Sequence, residues 1–180
     1  MNLLTPCLSW LLVLLSASAG KWDGPHIPPA RSSATFRRAL AMTKAGNYTG
    51  GIPLFEQALA STAEAATQCE MRLAFAGCLY GASFKVVDRL GVPGPEHSVS
   101  VERIALLRRA TEQLDRAELA VTSTRTLAAI RFDHGMILEA WGFPLDAYGW
   151  YRAASNADPD CLDAVNGLLR TSALLRGSDR

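Results

Sequence analysis

Apolar residues recur at helical spacing through two well-separated stretches of the chain, Thr35–Ala63 and Ala128–Asp160, and that period places them on one face of α-helices. In the later stretch Gly142 ends a first helix and Pro144 opens a second, at a position where a missing N–H costs nothing. Ala147 and Ala154 are small where two antiparallel helices must approach, Tyr151 fills the space between them, and Pro159 closes the unit. The earlier stretch repeats this order. Gly46 matches Gly142, Gly51 matches Ala147, Phe55 matches Tyr151 and Ala58 matches Ala154, while Ala39 and Phe36 take the slots of Gly135 and Phe132. Thr49 is the expected N-cap of the second helix here, which leaves Pro53 about four residues inside it, close to the free N–H groups of the first turn.

Between these two units the pattern changes. Leu73-x-x-Ala76-Gly77-x-x-Tyr80 starts a helix that runs on instead of turning. The segment 90–97, rich in Gly and Pro, is a loop no helix crosses. Ser100 is the expected N-cap of a long helix carrying Val101, Ile104, Leu107, Leu114 and Leu119, with Leu107 and Ala110 in second-helix slots. After Pro159, Leu162–Leu175 reads as an amphipathic helix that caps the last unit.

These residues resemble the tetratricopeptide repeat, a helix–turn–helix unit of about 34 residues. Leu73, Ala76, Gly77 and Tyr80 follow its first-helix pattern, with leucine for tryptophan. The resemblance implies an all-α, right-handed helix-hairpin solenoid of about six or seven helices over residues 34–176. It also implies a concave face lined by first helices, with Phe36, Leu40, Thr43 and Lys44 from the first unit. Met71, Ala74 and Cys78 come from the middle unit, and Phe132, Met136 and Glu139 from the last. Such a groove takes a peptide or protein segment. The carboxylate-clamp form of the family needs several Lys, Asn and Arg side chains at these slots, and only Lys44 is present.

Composition narrows the function. The chain has 180 residues, 49% of them hydrophobic, and a net charge of +1, enough for one continuous core and without the basic stripe that nucleic acid demands. Arginines in 103–116 alternate with Glu102, Glu112 and Asp115, which reads as a solvated helix face. Residues 1–19 read as a signal peptide: Leu3–Leu15 is apolar and small Ala17 and Ala19 suit cleavage after Ala19. An uncleaved membrane anchor is the alternative reading, although this run is shorter than the roughly 20 residues that span a bilayer. Residues 20–33 form a Pro-rich leader expected to be poorly ordered.

The expected location is therefore the secretory pathway, extracellular or lumenal (periplasmic in a bacterium), without stable membrane insertion after cleavage. Removing Cys7 with the signal leaves Cys69, Cys78 and Cys161. The first two lie about 13 Å apart along one helix, too far for a disulfide, and read best as buried small apolar residues. Asn47-Tyr48-Thr49 is a glycosylation sequon in the turn of the first unit.

No catalytic constellation has usable spacing. His26 and His97 lie in Pro-rich segments, and adjacent Asp133 and His134 point to different faces of one helix. The motifs of metalloproteases, phosphate loops and α/β-hydrolases are missing. The sequence thus leads us to expect a non-enzymatic interaction module without cofactor or metal, binding through Phe36, Leu40, Lys44, Ala74, Cys78, Phe132, Met136 and Glu139. Two alternatives come from other classes. One is a non-catalytic or truncated docking domain of a lumenal modifying enzyme, loosely similar to the helical domains of collagen prolyl hydroxylases. The other is a self-assembling homo-oligomer that pairs through Leu168, Leu169 and Leu175.

Overall fold

The computed structural model describes residues 33–90 and 101–177, and side chains within them except those of 87–90 and 177. The signal peptide, the leader up to residue 32, the loop beyond Leu90 and the Ser100 cap lie outside the described residues. Seven helices and no strand occur among those described: α1 (Ala34–Lys44), α2 (Tyr48–Ala60), α3 (Ala65–Leu90), α4 (Val101–Glu118), α5 (Thr124–Trp141), α6 (Pro144–Ala157) and α7 (Leu162–Gly177). Each helix packs against the next, giving the hairpins α1–α2, α3–α4 and α5–α6 with α7 at the end.

The first and third hairpins turn in the same way. Gly46 and Gly142 both adopt positive φ, at 74° and 90°, a conformation glycine enters without Cβ strain. In each turn the residue after this glycine donates back across the helix end: Asn47 N–H to the Met42 carbonyl and Phe143 N–H to the Leu138 carbonyl, both at 2.9 Å. These bonds satisfy carbonyls the helix leaves open. Matched aromatic pairs also recur, Phe36 on Phe55 with centroids 5.7 Å apart and Phe132 on Tyr151 at 5.6 Å. The small slots Ala39, Ala58, Ala147 and Ala154 are fully buried. The fold is therefore repeat-like.

One cap differs from its expected place. Asn47, not Thr49, caps α2, with its Oδ1 accepting the Gly50 N–H at 3.1 Å. The αL turn at Gly46 ends α1 so sharply that α2 starts directly after Asn47. Pro53 consequently sits deeper in α2 than the first turn, where it removes an intrahelical bond; its ring faces solvent.

The middle hairpin supplies the centre of the core. Along α3, Met71, Leu73, Ala74, Phe75, Ala76, Cys78, Leu79, Ala82 and Val86 are all buried, an apolar surface wide enough to face several neighbouring helices at once, while Phe84 and Lys85 stay exposed. It packs against α2 on one side and α4 on the other. Phe75 stacks on Phe55 at 5.3 Å, and Leu107, Ala110, Leu114 and Ala117 close the core from α4. Cys69 and Cys78 are buried free thiols.

Candidate functional site

Alternate helices differ in how closely they approach. The backbones of α1 and α3, α3 and α5, and α5 and α7 touch, whereas among the described residues α2 and α4, and α4 and α6, stay apart. A row of helices in close contact on one side and separated on the other bends toward the contacting side. The odd-numbered helices therefore line the inside of the bend.

The eight residues assigned to this wall do not share one environment. Phe36, Ala74 and Cys78 are completely buried and present no surface to a partner. Phe36 is enclosed against Phe55. Cys78 is covered by the start of α2: its thiol donates to the Tyr48 carbonyl at 3.4 Å, and a Cβ on Gly51 would come within 3.2 Å of its sulfur. The neighbouring expectations, Met71 and Thr43, are buried as well, the latter with its hydroxyl donating to the Ala39 carbonyl at 3.1 Å. Leu40, Phe132 and Met136 remain half-buried, and Lys44 is exposed.

Glu139 has an unexpected role. Its carboxylate accepts the Tyr151 hydroxyl at 2.6 Å and two guanidinium N–H groups of Arg170, each at 2.7 Å. Burial pushes the Glu139 pKa up, but the bonds from Arg170 and Tyr151 outweigh it and hold the group below the usual carboxylate range. Burial, and then the bond to the Glu139 carboxylate, push the Tyr151 phenol far upward against the opposing pull of Arg170, so it stays protonated and donates. The Arg170 guanidinium also lies 5.8 Å over the Tyr151 ring. Glu139 is thus the hub of a lock between α5, α6 and α7, with its acceptor capacity largely taken. Arg170 lies on α7, beyond the repeat pattern, so nothing in the spacing pointed to it.

Two aromatic residues extend the wall beyond the expected set. Tyr80 and Phe84 on α3 meet edge to face at 4.9 Å, with the Arg103 guanidinium 5.8 Å over the Phe84 ring. Phe84 is 42% exposed. Burial, with the carboxylates of Glu139 and Asp133 nearby, raises the Tyr80 phenol to about 12. The inside of the bend therefore offers half-exposed aromatic and thioether side chains bordered by Lys44 and Arg170.

Asp133 and His134 face apart. Burial raises the Asp133 carboxyl to about 8, with Asp163 adding to the shift, so it is mostly protonated at neutral pH. His134 turns the other way and stacks on Trp150 at 4.3 Å, with Nε2 3.5 Å from Asp115 Oδ1. Burial lowers its pKa, against the pull of Asp115 and Glu118. The outer side of the third hairpin carries an open hollow of about 470 Å³ lined by residues including Leu145, Trp150 and the Glu118–Arg131 ion pair. Among the described residues no His, Cys, Asp and Glu group of three or more has a metal-binding arrangement. No helix among them is long and apolar enough to cross a membrane. Comparison with family models, with curated proteins and with solved structures gives no match.

Proposed function

We propose that this chain is a non-enzymatic, right-handed tetratricopeptide-like module of the secretory pathway that holds a peptide or protein segment against its odd-helix wall. The observation that carries the reading is the wall itself. It lies inside the bend, and Leu40, Phe84, Phe132 and Met136 stay partly open there while the rest of the apolar face is sealed. Apolar anchors between charged rims suit an amphipathic or extended segment. The secretory part of the reading is supported by the apolar leader ending in small residues at Ala17 and Ala19.

Peptides selected from a random library on the full-length chain test the binding reading. Met136→Asp is expected to weaken the selected peptides at least tenfold while leaving helical circular dichroism intact, because Met136 is half-exposed and a charge there desolvates poorly under an apolar ligand. Unchanged affinity in this variant contradicts the assignment of the wall.

A second reading rests on α7. Leu162 is 71% and Leu169 64% exposed, an apolar stripe that favours pairing of two copies end to end. Of the residues first assigned to this role, Leu168 and Leu175 are half-buried. Light scattering separates the readings: a concentration-dependent dimer abolished by Leu169→Glu supports self-association.

A further inference from the structure

We propose that Asn47 carries an N-linked glycan on its Nδ2 while its Oδ1 continues to cap α2. The proposal rests on the secretory reading above. Asparagine occurs four times, at 2, 47, 156 and 166, and only Asn47 is followed by a hydroxyl residue two positions on, with a non-proline between.

The turn divides the three side chains of the sequon between two environments. Asn47 and Thr49 are exposed. Tyr48 turns inward and lies across Gly81 of α3, where an added Cβ would collide with its ring. The residues a transferase must read are therefore on the surface, and the residue between them anchors the turn.

The two ends of the Asn47 amide are also separated. Oδ1 accepts the Gly50 N–H at 3.1 Å. Nδ2 lies 3.4 Å from the Met42 sulfur, a weak acceptor whose loss costs little. Transfer from a lipid-pyrophosphate-linked oligosaccharide forms a bond from the sugar C1 to Nδ2. It breaks the bond from C1 to the phosphate oxygen, releases the lipid pyrophosphate and sheds one amide proton. The product is still an amide with a free carbonyl, so the cap survives. Phe143 is the matching position in the third hairpin, an exposed side chain without a cap bond, so the glycan marks only one end of the row.

The test is expression of the full chain, with its own leader, in glycosylating eukaryotic cells. One mobility shift is expected, removed by peptide-N-glycosidase with conversion of Asn47 to aspartate, and absent from Asn47→Asp and Thr49→Ala. Asn47→Asp keeps a good N-cap acceptor, and Thr49→Ala leaves Asn47 itself in place, so loss of the shift in both reports the glycan rather than misfolding. A chain recovered from the medium or lumen without the shift overturns the glycan and leaves the secretory reading standing. A chain found only in the cytosol overturns both.

Discussion

The first and third hairpins place an aromatic residue from the second helix in the same slot and use it differently. Phe55 is held by Phe36 edge-on and by Phe75 face-on, an all-carbon cluster whose stability comes from burial and ring packing. Tyr151 lies between two glycines. A Cβ on Gly135 would come within 2.5 Å of its ring, and one on Gly167 within 2.7 Å. Its hydroxyl emerges at the Glu139–Arg170 pair. Phe55 holds its slot through apolar ring contact. Tyr151 combines close backbone approach with a charge-assisted network, which faces the proposed binding wall.

The largest effect that separates the two is expected from truncation. Phe55→Ala should cost about 3–5 kcal/mol, since a fully buried ring is lost from the centre of the core. Tyr151→Phe should cost only about 1–2 kcal/mol, because Arg170 still satisfies Glu139. Urea denaturation of the two variants measures both values. Equal losses would mean that the network, not the ring, carries the third hairpin.

Glycine packing gives the next effect. Gly135→Ala is expected to destabilise by about 1–3 kcal/mol because Tyr151 is held from both sides and cannot yield. Gly149→Ala meets nothing within 4 Å on the exposed side of α6 and should stabilise by about 0.5–1 kcal/mol through helix propensity. Thermal unfolding of both variants checks this contrast. A neutral Gly135→Ala would show that α5 and α6 are looser than their contact distances indicate.

The third hairpin also carries two buried titratable groups, Asp133 and His134. Folded Asp133 keeps a proton that the unfolded chain releases above about 3.8, so this group lowers stability as pH rises from there toward about 8. Asp133→Asn should remove that slope and gain about 1–3 kcal/mol near pH 8. His134 acts in the opposite direction: its lowered pKa means that the unfolded chain takes up a proton first as pH falls below 6.5, and stability is lost on the acid side. Denaturation midpoints of the wild type and of Asp133→Asn from pH 5 to pH 8 separate the two. A variant whose midpoint tracks the wild type at every pH would contradict the buried neutral carboxyl.

The smallest effect belongs to the surface. Arg109 and Glu56 pair at 2.6 Å with side chains 41% and 53% exposed, and solvent screening limits such pairs to about 0.2–1 kcal/mol. A double-mutant cycle on Arg109→Ala and Glu56→Ala should return a coupling in that range and fall further in high salt.

Local rules made the helices and their joints readable. Gly46 and Gly142 had to be turn residues because only glycine takes that backbone cheaply, and Ala147, Ala154, Phe55 and Tyr151 were placed because each slot has a definite size. The α7 start at Leu162 followed from Pro159 and the apolar spacing. What the pattern could not reveal was which wall residues would be covered. Placing Phe36, Ala74 and Cys78 on the wall carries a face over from one regular repeat to the next. The 26-residue α3 is instead enclosed by α2 and α4, and Tyr48 and Gly51 close over it. The Asp115–His134 approach and the Glu139–Arg170–Tyr151 lock join distant parts of the chain, so no local spacing signals them. The Asn47 cap was hidden because Asn and Thr, two residues apart, both suit that position.

Amide hydrogen exchange on the full-length chain, with and without a peptide selected for binding, locates the bound segment on the helix row. A ligand on the odd-helix wall slows exchange along α1, α3 and α5, with the Phe132–Glu139 segment protected most and the outer side of α6 unchanged. Protection confined to α6 and the end of α4, around Leu145 and Trp150, would contradict that placement, since the ligand would then sit on the outside of the bend.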